Sequence, residues 1–549
     1  MAILETQSAW LRLRLQQPPA ATSACPARVA DVEWHTGPVL ATALQEGNFL
    51  DLYASSIVSD FLRQPCATYL QQECDQPTTL TYATMCSGSD ICSSSLAALS
   101  HALKRSNIEV SFSQRWACES DPVKQTWLRR LHRSTDICIF KDAKDMAGSS
   151  GHAACVTHGH SCPVQGVDCF LVGFSCKEFS RANTSSSASK AHLLKTGVGG
   201  SSVETYKCMM AHIEQYKPRF IIIENSDALC DGSDKEDANV NILMLALADF
   251  GYDSQAVILN TPLYGLPHRR PRTYIMAILQ HGLSSHVLCL DLYFKNFLLL
   301  LGRAQRDPPS ALDVLLPPDN EVVAEWLLTR QGKRSAGWES GSIDIHQRHY
   351  AAKGLRWGSL QPDTSTKRST WFGTLTAREK DCLVCSMHMY PADEAFDISQ
   401  SIYRVPKSST LRSRQGVGFV VGPAILPRAL VWWRKEARLQ LGFESLMLAG
   451  FPIARRPDLS RQFSNEQLQN LAGNCFSATI ITAIFACYLA VTPRDITSVG
   501  PLRRTREVEL ADTVDESESQ AESSQTVTEG AAASEAVTLL RLLKRARSE

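Results

Sequence analysis

The chain has 549 residues, of which 44% are hydrophobic, 8% aromatic and 20% charged. This excludes collagen-like, wholly disordered and membrane-bundle proteins and leaves a globular one of two or three domains. Its 56 basic and 56 acidic residues cancel, but residues 507–549 hold 10 acidic and 4 basic ones, so residues 1–506 carry a net +6. A mildly basic body suits a polyanionic partner and equally suits ordinary solvated charge. Eighteen cysteines in so long a chain point to free thiols in a reducing compartment rather than to a disulfide scaffold. Glu5 and Arg12 interrupt the apolar N-terminus, which does not read as a signal peptide. The apolar stretch 286–302 contains Asp291 and Lys295 and is too short to span a bilayer. An intracellular protein with no membrane contact is expected.

Residues 1–78 form an N-terminal extension, with a Pro/Ala/Ser segment at 17–27 and a helical pattern at 39–74. From residue 79 short apolar runs alternate with helix-length segments: TYATMCSG, SSSLAALSHALKR, SFSQRWACES, DPVKQTWLRRLHR, DICIF and VDCFLVGF. The alternation continues through ETYKCMMAHIEQY, PRFIIIENS, VNILMLALADFG, SQAVILN and RTYIMAIL to residue 279. It predicts a doubly wound α/β sheet, with runs such as FIII buried on both faces. Residues 280–440 lose the alternation and read as an inserted, irregular domain. Order returns over 441–496, which ends in the apolar helix SATIITAIFACYLAV, and 497–549 reads as a disordered acidic tail.

In such sheets ligands sit at the carboxyl ends of the strands. The first run leads into Cys86, Ser87 and Gly88, a small-residue turn that is not a G-x-G-x-x-G fingerprint. The second ends at Glu119, placed for ribose hydroxyls or, equally, as a helix N-terminal charge before Pro122. The third ends at Asp142, and three such ends fit a nucleoside-containing cofactor. Cys176 follows the fourth run, where a nucleophile would be presented. Lys177 and a following helix N-terminus would favour its thiolate. A structural cysteine is the plainer reading. Glu224 ends the fifth run, and Arg269, Arg270 and Arg272 precede the last strand, a set suited to an anionic or carbonyl-bearing substrate.

In this order the motifs resemble those of the cytosine-C5 DNA methyltransferases, over about 80–279 and 441–491. GFSCKEFS is similar to that family's Pro-Cys loop and IIIENS to its Glu-Asn-Val motif. PHRRPR is similar to Gln-x-Arg-x-Arg, and LQNLAGNCFSATI, with Gly473 and Asn474, to the late Gly-Asn motif. The resemblance implies a Rossmann-like S-adenosylmethionine-dependent methyltransferase sheet with an inserted target-recognition domain. It implies Cys176 as the nucleophile on C6 of a flipped cytosine, Glu224 on N3 and the exocyclic amine, and Arg270 and Arg272 on O2. For S-adenosyl-L-methionine it implies Cys86, Ser87 and Gly88 at the methionine part, Glu119 at the ribose, Asp142 at the adenine amine and Asn474 lining the pocket. The polar segment 183–202 is then the loop that closes over DNA, or a surface linker.

The chain departs from the family pattern at Ser175 and Lys177, which flank Cys176 in place of Pro and Gln, at Ser226 in place of Val, and at His268 in place of Gln. An active, divergent DNA (cytosine-5-)-methyltransferase is expected, monomeric, with DNA as partner. The rivals are the same chemistry on RNA and a catalytically silent DNA-binding module. Nuclear residence follows only from the substrate and from the basic segments RRTR and LLRLLKRARSE. Cys155, His158, His160 and Cys162 are spaced more tightly than a zinc finger, so no metal site is assigned. Cys382 and Cys385, in Cys-x-x-Cys-x-x-His, are assigned to a core. Trp371, Phe372, Trp432 and Trp433 are assigned to a core before a DNA contact.

Overall fold

The computed structural model describes residues 38–72, 77–148, 150–180, 192–280, 290–331, 338, 342–413 and 416–493. The Pro/Ala/Ser segment, the acidic tail and the first part of the 183–202 loop lie outside them.

Nine strands are used below: β1 (Thr78–Met85), β2 (Val110–Cys118), β3 (Cys138–Phe140), β4 (His152–Ala154), β5 (Ser161–Pro163), β6 (Cys169–Val172), β7 (Phe220–Ser226), β8 (Tyr252–Asn260) and β9 (Pro271–Leu279). Seven of them form one sheet in the order β3-β2-β1-β6-β7-β9-β8, while β4 and β5 pair with each other. All neighbours are parallel except β9, which runs antiparallel to both β7 and β8. The strand order therefore reverses between β1 and β6, the place where such sheets bind their ligands, outside the carboxyl ends of the strands.

The sheet is covered on both faces, as the apolar runs predict. Along β7, Phe220 and Ile222 enter one core while Ile221 and Ile223 enter the other. The first core packs helices Phe49–Leu62, Ile91–Arg105, Leu290–Arg303 and Ala478–Val491 on one face. The second packs Ser201–Tyr216 and Asn239–Asp249 on the opposite face. The Ala478–Val491 helix owes its all-round apolarity to position, since every one of its residues is buried. Tyr488 stacks on Phe220 at 4.2 Å between ring centroids, and Phe485 meets Phe112 edge-on at 5.3 Å.

Helix Phe49–Leu62 contributes Tyr53, Ile57, Val58 and Phe61 to this first core, so the N-terminal segment is built into the sheet's cover. Helix Leu290–Arg303 does the same with Phe297, Leu300 and Leu301. A third core, separate from these, lies within residues 323–441 and is built on helix Ala377–Met389 and the small sheet Ala395–Asp397, Val431–Trp433 and Arg438–Leu439. Thr376 and Glu379 close a capping box at the start of that helix. Where the sequence reads as irregular, the described residues thus include several helices of ordinary length. Trp371, Trp432, Cys382 and Cys385 fill this third core, Phe372 packs against it, and Trp433 is buried in the first one.

Candidate active site

The turn after β1 is held from below. Cys86 and Asp90 both adopt left-handed backbone angles, with φ of 55° and 50°. Asp90 is fully buried, and its carboxylate accepts from Gln114 Nε2 at 2.7 Å and meets His132 Nε2 at 2.8 Å. Ser87 points inward, its hydroxyl 2.7 Å from Thr84 Oγ1 and accepting the Cys118 N–H at 3.2 Å. Ser87 therefore shapes the turn, its N–H donating to the Cys118 carbonyl at 3.1 Å and its carbonyl accepting the Asp90 N–H at 2.8 Å. Gly88 has φ 57°, and a Cβ there would lie 2.5 Å from the Asn474 carbonyl oxygen, so only glycine lets the first turn and the late motif touch.

Glu119 stands at the same edge. Its Oε2 accepts the Gly88 N–H at 3.0 Å, and its Oε1 accepts those of Ser120 and Asp121 at 3.0 and 3.1 Å. Burial, and next the Glu119 charge, push the Cys86 thiol up to about 12. Asp142 caps the short helix after β3, its Oδ1 accepting the Lys144 N–H at 3.0 Å. Asn474 is exposed and turns its Nδ2 back to the Asn470 carbonyl at 2.8 Å. Cys86, Ser87, Gly88, Glu119, Asp142 and Asn474 are thus arranged along the carboxyl edge of β1, β2 and β3.

The second half of the edge joins Cys176, Glu224 and Arg272. Arg272 Nε lies 3.2 Å from Glu224 Oε1, and Arg270 Nη2 lies 3.8 Å from the same oxygen. Burial pushes the Cys176 thiol up; Arg272 opposes this, Glu224 adds to it, and Arg270 opposes it more weakly. Burial also lowers the Arg272 guanidinium from its ordinary value, with Arg270 adding to the effect. His268 is buried beside both arginines, and neither ring nitrogen meets a hydrogen-bond partner among the described residues. Burial, helped by the two guanidinium charges, holds it down to about 3, so it stays neutral.

Two expectations are corrected here. Residues 177–179 form a turn, closed by the Ser180 N–H on the Cys176 carbonyl at 2.8 Å, so no helix N-terminus follows the thiol directly. Arg270 donates to the carbonyls of Ile425, Gly473 and Cys475 at 3.3, 3.1 and 2.7 Å. Its guanidinium therefore pins the late motif to β9, and Arg272 is the arginine beside Glu224. Arg269 is exposed, and its N–H donates to Gly422 in the inserted region.

Sequence reasoning missed the supports of the cysteine loop. The Ser175 N–H donates to Thr205 Oγ1 at 3.0 Å, and the Ser175 hydroxyl lies 3.0 Å from that of Ser201. Glu178 accepts the Ser202 N–H at 3.0 Å, and Asn225 Nδ2 donates to the Phe174 carbonyl at 3.0 Å. The cluster of hydroxyls at the start of helix Ser201–Tyr216 was the available signal. Ser226, in place of valine, caps the turn after β7 by accepting the Ala228 N–H at 3.4 Å.

The sheet order, with polar groups gathered on its carboxyl edge, is that of a Rossmann-like methyltransferase fold. Residues 90–294 match the model of the C-5 cytosine-specific DNA methylases. Over these residues the chain is similar to that family. It is 25% identical over 445 residues to the DNA (cytosine-5-)-methyltransferase DMT5 of Cryptococcus neoformans, covering 76% of this chain and 17% of that protein. To the DMT5 of Verticillium dahliae it is 22% identical over 478 residues, covering 76% and 20%. The chain thus spans about a fifth or less of the length of these relatives. Among solved structures it is similar to a Spodoptera frugiperda DNMT2 mutant, at 11% identity and TM-score 0.37, covering 74% of this chain and 99% of that one. It is also similar to S. pombe Dnmt2, at 14% identity and TM-score 0.35, covering 74% and 97%.

Proposed function

We propose that this chain transfers a methyl group from S-adenosylmethionine to C5 of a cytosine in DNA through a covalent bond between Cys176 and C6. The observation that carries the reading is the convergence of a thiol, a carboxyl and a guanidinium at the ends of β6, β7 and β9. Cytosine C5 in the intact aromatic ring is a poor nucleophile. Addition of the Cys176 thiolate to C6 breaks the aromaticity and moves electron density onto C5. Glu224 holds N3 and the exocyclic amine and delivers a proton to N3 as charge develops on the ring. Arg272 supports Glu224 and faces O2, while Arg270 acts by positioning the late motif. Loss of the C5 proton after transfer then expels the thiolate and restores the ring.

The residues at the other half of the edge suit the cofactor. Gly88 lets the first turn and the late motif close on each other beside the strand ends, Glu119 offers a carboxylate to ribose hydroxyls, and Asp142 offers one to an adenine amine. S-adenosylmethionine, when bound, supplies the electrophilic methyl group. Cys176 can reach C6 only from above the ring plane, so the base must leave the duplex stack. DNA is favoured over RNA because the matched family is one of DNA methylases and because the inserted region, with its own core, provides surface for a duplex.

The test is covalent trapping. The protein is incubated with S-adenosylmethionine and oligonucleotides carrying 5-fluorocytosine, as duplex DNA and as RNA hairpins, beside Cys176→Ala. Fluorine at C5 cannot leave as the proton does, so turnover stalls as an adduct. An adduct on DNA that is absent with Cys176→Ala is the expected result. An adduct on RNA alone moves the substrate to RNA, and no adduct on either overturns the reading.

A further inference from the structure

At the other end of β3 from Asp142, three thiols close on one imidazole. The Sγ atoms of Cys138, Cys155 and Cys162 lie 3.6, 3.4 and 3.3 Å from His158 Nδ1. All four atoms lie within 4.8 Å of one another. One ring nitrogen has a single proton or a single lone pair, so it can serve one thiol as a hydrogen-bond partner, not three. Sulfurs gathered around it at one distance mark a common centre instead. A tetrahedral zinc with bonds of about 2.3 Å to sulfur and about 2.0 Å to nitrogen separates these atoms by about 3.5 Å.

We propose that Cys138, Cys155, His158 and Cys162 bind a structural zinc ion. Three thiolates and an imidazole are a donor set that favours zinc among the common divalent cations, and four protein ligands leave no position for a substrate. Binding releases the three thiol protons. The imidazole is also braced from behind: its outer Nε2 lies 3.6 Å from Asp136 Oδ2, in the manner of carboxylates that orient zinc-bound histidines. His160 is set aside by geometry. Its Nδ1 lies 3.0 Å from the Ser161 carbonyl, and of the three sulfurs only Cys162, at 3.7 Å, forms a contact with it. The fourth ligand is therefore Cys138, distant in sequence from the other three.

The surroundings give the ion a task. β4 and β5 are strands of three residues each, too short to form a stable hairpin alone. They lie against the outer edge of the main sheet through the Val156 N–H on the Ile139 carbonyl at 2.7 Å and the Lys141 N–H on the Ala154 carbonyl at 3.0 Å. Cys138 lies on β3, and the other three ligands lie between β4 and β5 or within β5, so one ion staples hairpin to edge and keeps the edge covered.

The experiment measures metal in the full chain purified under reducing conditions without chelator. About one equivalent of zinc is expected in the wild type and in His160→Ala, with stoichiometric loss in Cys138→Ser. Cobalt(II) added to metal-stripped wild type should give the strong visible bands of a tetrahedral ion with thiolate charge-transfer absorption, a reading that needs no variant to fold. Zinc retained by Cys138→Ser and lost from His160→Ala would overturn the ligand set. Substoichiometric zinc together with no such cobalt spectrum, while the thiols titrate as reduced, would overturn the site.

Discussion

At the scale of single residues, Glu224 carries opposed effects that can be separated. Its charge helps to raise the Cys176 thiol, while Arg272 draws it down. Glu224→Gln removes a negative charge from beside the thiol, so the thiol's pKa falls and more thiolate exists at a given pH. Alkylation of Cys176 by iodoacetamide should then shift to lower pH. Methyl transfer should fall by about 10²–10⁴-fold, because the amide can donate a hydrogen bond but is too weak an acid to transfer a proton to N3. Arg272→Met should shift the alkylation profile the opposite way. An unmoved profile in both variants would mean that the three groups do not form one electrostatic unit. These residues were legible in the sequence because each ends an apolar run, and runs ending on one edge put their last residues together. The buried Asp90 and the true partners of Arg270 were not. Asp90 sits in an ordinary Ser-rich turn, and Arg270 bonds to carbonyls some 155 to 205 positions away, for which no local pattern exists.

At the scale of elements, the cysteine loop rests on the first turn of helix Ser201–Tyr216. A proline at position 175 would stiffen the loop covalently but has no N–H. Serine supplies the N–H that Thr205 accepts, so a hydrogen bond does part of the work of a ring. Thr205→Val leaves that part-buried N–H without its acceptor, which should cost about 1–3 kcal/mol and lower kcat with S-adenosylmethionine affinity retained. In a Ser175→Pro background the acceptor has nothing to accept, and the same substitution should cost much less. A double-mutant cycle read by urea melts and by turnover checks this, and additive effects would break the proposed link. Strands and helices of the sheet were readable because burial on two faces writes continuous apolar runs. The thiol cluster was half readable, since its three local ligands lie within eight residues while Cys138 reaches them only through the pairing of β3 with the segment after β4.

At the scale of the whole molecule, the sheet's two covering layers differ in what they enclose. The inserted region's helices escaped the sequence because they interrupt the strand–helix alternation without strands between them, whereas its tryptophans and the pair Cys382 and Cys385 signalled its core. The N-terminal helix Phe49–Leu62 reads as an appendage and packs as part of the first layer, a distinction made by long-range contact alone. In the second layer His212 lies fully buried among Trp116, Phe170 and Tyr216, with ring centroids 5.1, 4.7 and 4.6 Å away. Neither ring nitrogen has a hydrogen-bond partner among the described residues, and burial holds its pKa down to about 3. The unfolded chain takes up this proton near pH 6.5 and the folded protein only near 3. Between those values the unfolded state binds more protons, so stability rises with pH through that window and is lost as pH falls. His212→Phe fills the same aromatic nest with a ring that never protonates. It should therefore stabilise the protein by about 2 kcal/mol more at pH 5 than at pH 7.5, as read by urea midpoints at both values. An equal change at the two pH values would show that His212 does not pass from charged to neutral on folding.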